Sequence, residues 1–265
     1  MKGLSPHPAT RWIIGIVLGV AFAIPLVSTL IYTLTAPDGG VTLDRWAALL
    51  DPARSAQYAP VWTGLANSLI LAVVTVAIVL FLLAPTMILV NLRFPKLRFP
   101  FEFAVLLPIS IPAIVLVVGL APIYLQIGRM FGTGAWTLAF AYGVTVLPFA
   151  YRAIQASIDA VDMKTLAEAA RSLGSGWGTV VLRVLAPNLR SGLLAASLIS
   201  IAVVLGEFTI ASLLNRQVFQ TSLLVVQKTD AYAAAQFTLL ALLFAFLLLV
   251  VIGVAGRTRS GKARP

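Results

Sequence analysis

The chain has 265 residues, of which 60% are apolar and 11% charged, with a formal net charge of +10. Ordinary globular domains carry about 25% charge, so this composition is that of a multi-pass membrane protein. It contains no cysteine and a single histidine, His7 in the N-terminal tail, which excludes disulfides, thiolate metal sites and a Ser-His-Asp triad within the membrane.

Six charge-poor stretches follow in chain order, each supplying the roughly 20 residues that cross about 30 Å of hydrocarbon. They lie at about 12–35, 61–90, 103–125, 135–156, 191–214 and 236–256, between an N-terminal tail of residues 1–11 and a basic tail of residues 257–265. Trp12 and Tyr32 flank the first as interface aromatics. Its apolar run is longer than a signal-peptide core and no small-x-small site follows, so it is expected to be a retained helix. The third stretch carries Pro108, Pro112 and Pro122, which free backbone carbonyls and predict a kinked helix. Two readings of that kink stand: a lining of a polar pathway, or packing alone. Ser110 and Gly119 in the same stretch would admit close helix contact. The fifth stretch is interrupted by Glu207, a costly charge in an apolar span. It reads either as a pathway or gate residue or as a structural hydrogen-bonding group. Thr209, Ser212 and Asn215 extend it as a polar i, i+3, i+6 run, facing either an aqueous cavity or a neighbouring helix. The runs lack the alternation of barrel strands, and open sheets do not survive in lipid, so the fold class is an all-α membrane protein.

Orientation follows from the basic residues. With both termini cytoplasmic, Lys2, Arg11, Arg93, Lys96, Arg98, Arg152, Lys164, Arg171, Arg183, Arg190, Arg257, Arg259, Lys262 and Arg264 lie inside. Arg45, Arg54, Arg129, Arg216 and Lys228 lie outside, a clear positive-inside bias. This flanking placement explains the positive charge without a nucleic-acid partner. Asp38, Asp44 and Asp51 fall in the first outer loop; Gln217, Gln220, Gln227 and Tyr232 fall in the third, as surface contacts or merely solvated groups.

Between the fourth and fifth stretches lies a cytoplasmic loop, 158–190, too polar to cross a bilayer. Asp162 is a good N-cap for a helix from Met163. Leu166, Ala169, Ala170 and Leu173 fall at i, i+3, i+4 and i+7 and form its apolar face, with Glu168 and Arg171 off that stripe. Gly174 sits where a C′ glycine ends a helix. Ser175 is placed to cap a second helix over Gly176–Ala186, and Pro187 punctuates the entry to the fifth span. The product is a helix–turn–helix at the membrane surface, lying on lipid headgroups or docking a soluble partner.

The loop reads Glu168-Ala169-Ala170, three residues, Gly174, nine residues, then Val184-Leu185-Ala186-Pro187. It resembles the signature Glu-Ala-Ala-x3-Gly-x9-Ile-x-Leu-Pro of permease subunits of binding-protein-dependent type I ABC importers, with Val184 for Ile and Ala186 for Leu. Asn67-Ser68-Leu69 and the Pro-x-x-x-Pro of Pro108 and Pro112 are similar to further family features. The resemblance implies that the loop couples to a cytosolic ATPase dimer, with Glu168 and Arg171 offering charge pairs, Ala169 and Ala170 on the apolar face, Gly174 allowing the turn and Pro187 ending the segment. It also implies a second permease, identical or homologous, an extracytoplasmic binding protein and a place in the bacterial inner membrane. No Gly-x4-Gly-Lys-[Ser/Thr] occurs, so ATP and Mg would be used by the partners, with no cofactor bound by this chain. Gly206-Glu207-Phe208 resembles the fifth span of permeases for polyamines, iron, thiamine, sulfate or molybdate. With Val41–Trp46 the overall look is nearest the polyamine group, with iron(III), thiamine, an aminophosphonate or an oxyanion as the other solutes the resemblance allows. Glu207, Thr209, Ser110, Pro108 and Pro112 are the candidate pathway or gate residues. The rival is a self-contained ion-coupled carrier using Glu207. It would need several intramembrane ionisable groups and inverted repeats, where one such group and no evident repeat are found.

Overall fold

The structure, a computed structural model, describes residues 8–36 and 38–258. His7, Lys2 and the tail residues Arg259, Lys262 and Arg264 lie outside the described residues. Fourteen α-helices are present among the described residues: α1 (Pro8–Leu34), α2 (Asp44–Ala48), α3 (Ser55–Ile78), α4 (Ala84–Arg93), α5 (Arg98–Leu106), α6 (Ala113–Phe131), α7 (Ala139–Asp159), α8 (Met163–Ser172), α9 (Trp177–Thr179), α10 (Ala186–Asn188), α11 (Arg190–Gly206), α12 (Thr209–Leu213), α13 (Phe219–Gln227) and α14 (Ala231–Thr258). The only β feature among them is one isolated bridge, Thr35 to Val41. Five helical segments are long and apolar enough to cross a membrane: Ala9–Leu34, Pro52–Arg93, Ala113–Phe131, Ala135–Asp159 and Ala231–Leu248. A sixth candidate is the pair Trp177–Asn188 and Arg190–Gly206, bent by 77°.

The chain divides into two compact units. The first holds residues up to Ala59 together with Leu223–Phe244. Its core is aromatic. Tyr32 on α1 stacks on Tyr232 of α14 with ring centroids 4.5 Å apart, and the Arg45 guanidinium lies 3.3 Å from the Tyr232 ring centre. Such a cation over an aromatic face contributes about 0.5–1 kcal/mol at an exposed site. Trp46 donates its indole N–H to Thr33 Oγ1 at 3.2 Å, and the Tyr58 hydroxyl lies 3.2 Å from Asp230 Oδ2. Tyr232 is therefore an internal packing residue and not a merely solvated one.

The second unit holds Pro60–Ser222 and residues from Ala245 onward. Its centre is the antiparallel pair α7 and α11. Gly192, Ala196, Ser200 and Val204 recur every four residues on α11 and are all buried. This stripe of small side chains lets the backbones approach, which is how helices associate where lipid removes the hydrophobic drive. A Cβ on Gly192 would stand 2.8 Å from the Ala153 carbonyl oxygen. Gly64 on α3 has the same function, within 2.7 Å of the Val218 carbonyl by that measure. The sequence expectation had placed close contact at Ser110 and Gly119. Both are exposed, and nothing lies within 4 Å of a Cβ built on Gly119.

Three spans are built differently from the plain helices expected. The third, expected over 103–125, is broken: α5 ends in a 3₁₀ turn over Leu107–Ser110, and Ile111 and Pro112 are extended, with ψ of 118° and 139°. A residue before proline is pushed out of the α region, so Ile111 yields and α6 restarts beyond Pro112. Pro122 is carried inside α6 without a break. The fifth span, expected to 214, stops at Gly206, leaving 17 residues, or about 25 Å of helix. The second reaches Arg93 through a π-helical turn at Val79–Leu83. The third outer segment, expected as loop, contains α13.

Candidate functional site

The first candidate site is the loop between α7 and α11. Asp162 caps α8 as expected, its carboxylate accepting the Thr165 N–H at 3.2 Å and the Thr165 hydroxyl at 2.7 Å. These two bonds, the hydroxyl first, hold its carboxyl below the usual Asp range. The cap is therefore fully present above the ordinary Asp pKa of about 4 and is lost as pH falls through the lower folded value. Asp162→Ala is expected to fray the first turn of α8, read as faster amide hydrogen exchange at Thr165 and Leu166. Asp162→Asn, which keeps the acceptor, is expected to leave exchange near wild type.

Gly174 terminates α8 with φ at +82°. The Gly174 N–H bonds to the Arg171 carbonyl and the Ser175 N–H to the Ala170 carbonyl, both near 3 Å, which closes a Schellman motif. Arg171 reinforces that turn by donating to the Ser175 carbonyl at 2.8 Å. Its guanidinium also sits 5.5 Å from the Trp177 ring centre, with Arg93 at 5.8 Å on the same indole. Glu168 faces Lys164 one turn back, at 3.9 Å and well exposed, a pairing worth a few tenths of a kcal/mol.

The buried face of α8 differs from the expected stripe. Met163 and Ala167 are buried, with Leu166 and Ala170 half-buried against the same core as Val180 and Leu185. Ala169 is exposed and Leu173 is 86% exposed. The four-residue stripe therefore splits. Leu166 and Ala170 hold the helix to its own chain, while Ala169 and Leu173 are bare. Two further expectations are corrected. Gly176, not Ser175, is the N-cap of the second helix, and no side chain bonds there. That helix passes through a π-helical turn at Val180–Leu185, and Pro187 lies within α10. Pro187 has no N–H to give, and the wider π turn ahead of it accommodates the missing bond. The bend falls two residues later, at the fully buried Leu189.

The second candidate site is the break after α11. Glu207 is extended, and both carboxylate oxygens accept the Ile210 N–H, at 3.0 and 3.1 Å. The carboxylate thereby caps the restart of the chain into α12, which begins at Thr209. Tyr142 on α7 is fully buried, and its hydroxyl has no hydrogen-bond partner among the described residues. Asn215 takes a positive φ of 51° and ends α12, with the Asn215 N–H on Ser212 and the Arg216 N–H on Ala211. It is a C′ residue, which asparagine tolerates. The same corner is clasped by side chains. Gln220 donates to the Leu205 carbonyl at 3.0 Å, taking up an acceptor that the broken helix leaves open. Gln217 donates to the Pro60 carbonyl, Asn67 donates to the Gln217 carbonyl, and Ser68 accepts the Phe219 N–H. Asn67 and Ser68 thus anchor the segment at Gln217 and Phe219 to α3, a use that single-sequence reading did not reach. Pro108 and Ser110 lie in and at the end of the 3₁₀ turn, and Pro112 is the N-cap of α6. The described contacts do not bring these three to Glu207.

The geometry so far defines a multi-pass α-helical protein with a surface helix–turn–helix between its fourth and fifth spans. A family model described as binding-protein-dependent transport system inner membrane component matches residues 87–260, and the chain belongs to that family. This makes it a permease subunit of an ABC importer, whose family works with ATPase subunits, a substrate-binding protein and a second permease. No curated protein matches the chain closely enough to narrow the family to one member.

Proposed function

We propose that this permease lies in a bacterial inner membrane with both termini in the cytoplasm, and that α8 is the helix through which ATPase closure is transmitted. The observation that carries this is the division of α8 into two apolar faces. Met163 and Ala167 are buried in the chain itself, while Ala169 and Leu173 are left in the open. An exposed leucine beside a tight, well-capped turn is a fixed apolar contact that a partner's groove can bury. Glu168 and Arg171 flank it with charge. The positive-inside bias sets this face on the cytoplasmic side.

The transported solute is a small organic cation of the polyamine class, drawn to the Glu207 carboxylate at the break in the fifth span. Thr209, Ser110, Pro108 and Pro112 belong to the same pathway, the prolines by breaking the third helix. A second permease completes the pathway. The binding protein delivers solute at the outer segments, and ATP with Mg is consumed by the partner ATPases, not by this chain.

The test uses the exposed leucine, whose replacement costs the fold little. Leu173→Asp is expected to weaken ATPase capture during purification by tenfold or more, because it puts an unpaired carboxylate where an apolar contact is buried. The variant still inserts at wild-type level. Undiminished capture by Leu173→Asp would remove α8 as the docking helix.

A further inference from the structure

An apolar cavity of about 340 Å³ opens beside the π-helical turn, between the second, third and fourth spans. Leu82 and Thr86 form one wall, Phe101 and Val105 of α5 another, and Gly143 and Leu147 of α7 the floor. Its one hydroxyl is already engaged, since Thr86 donates to the Leu82 carbonyl at 2.6 Å. The cavity therefore has no free side-chain donor, its lining is otherwise apolar, and hydrocarbon is the occupant that suits it.

The two helices that wall it lead to a basic rim. Arg93 lies seven residues beyond Thr86 on α4, two turns on, within about 20° of the same face and about 10 Å farther along the axis. On α5, Arg98, Phe101 and Val105 stand at i, i+3 and i+7, so Arg98 heads the same stripe. Only a short turn separates the two arginines. Arg98 is neutralised by Asp159 at 2.8 Å, and the nearby Glu102 is faced by Arg152 at 3.6 Å. No carboxylate pairs with Arg93 among the described residues; its neighbour is Trp177, 43% exposed. The rim keeps an unpaired cation beside an aromatic suited to the headgroup layer.

From this juxtaposition we infer that the cavity and its rim form a binding site for one anionic glycerophospholipid, with an acyl chain in the cavity and the phosphate at Arg93. The dimensions agree. One leaflet of hydrocarbon is about 15 Å deep, so a cavity some 10 Å below the arginine lies at mid-chain depth. Anionic headgroups are attracted to basic residues at the membrane surface, which selects the lipid class. Through Trp177 the headgroup would rest against the turn that follows α8. The site depends only on the chain being a membrane protein, and stands or falls separately from the docking role of α8.

The test is native mass spectrometry of the full chain with its copurifying subunits in mild detergent, after exchange into palmitoyl-oleoyl phosphatidylglycerol or phosphatidylcholine. Wild type is expected to retain one phosphatidylglycerol in preference to phosphatidylcholine. Arg93→Gln is expected to lower phosphatidylglycerol retention about fivefold and leave phosphatidylcholine unchanged, the loss of one surface cation. Gly143→Leu is expected to reduce retention of both. A Cβ at Gly143 meets only Ile78 Cγ2 at 3.8 Å, so the new side chain enters the cavity and not the backbone. Retention indifferent to headgroup and to both substitutions overturns the site. So does crosslinking of Leu82→Cys, labelled with a short maleimide photo-crosslinker, to a second protein chain, which would place protein in the cavity.

Discussion

Gly192→Leu is expected to prevent stable packing of α7 against α11, with loss of most correctly inserted protein. A Cβ at this position meets Ser157 Oγ at 2.6 Å, Ser157 Cβ at 2.7 Å and the Ala153 carbonyl oxygen at 2.8 Å. The serine cannot simply rotate away without cost, because its hydroxyl is bonded to Ser191 at 3.0 Å. The carbonyl belongs to a helical backbone and cannot move alone. Overpacking of a dense interior costs about 1–3 kcal/mol, and a clash with backbone belongs at or above the top of that range. The helices would have to separate, and Ala196 and Ser200, one and two turns along the same stripe, would lose their contacts too. Gly119→Leu is the control, since open space surrounds Gly119; it is expected to leave the melting temperature in detergent within a few degrees of wild type. Similar melting of the two variants would mean that the α7–α11 approach is looser than described.

This contrast shows what single-sequence reading can and cannot reach. Apolar runs bounded by charge marked the regions of the five helices long enough to span and of the bent sixth candidate, because the cost of burying charge in lipid acts on composition alone. Asp162 and Gly174 were legible because an N-cap acceptor and a left-handed C′ residue are local requirements, answered within a few positions. Gly192 was not legible. Within a span that is apolar on all sides, a glycine facing a neighbouring helix and one facing lipid sit in the same surroundings, and Gly119 looked equally good. The breaks at Ile111 and Glu207 were half legible. Proline and a charge flagged the places, but a kink and a full interruption differ by whether other groups take up the freed carbonyls. Gln220 does so for Leu205 from fifteen residues away. Leu173 shows the same limit: the stripe at i, i+3, i+4 and i+7 was correctly apolar, yet periodicity cannot tell which half of a stripe the chain buries for itself.

Glu207→Gln is expected to separate the capping seen at the break in the fifth span from the proposed attraction of a cationic solute. The amide keeps an oxygen that can accept the Ile210 N–H, so the cap on α12 and the fold are expected to persist, with a melting temperature near wild type. What the amide lacks is charge. A cation about 4 Å from a carboxylate gains on the order of 1 kcal/mol in water and about 4 kcal/mol in the partly desolvated setting of a protein surface. Loss of that attraction is expected to raise the KM for uptake of a cationic solute by tenfold or more. Glu207→Ala removes the cap as well, adds about 1 kcal/mol of lost stability, and is expected to transport no better than Glu207→Gln. Salt gives an independent check. A half-exposed carboxylate attracting a cation is screened, so the wild-type KM should climb with ionic strength while that of Glu207→Gln stays flat. Wild-type uptake by Glu207→Gln together with poor uptake by Glu207→Ala would assign the carboxylate to capping alone and remove the electrostatic argument for a cationic solute.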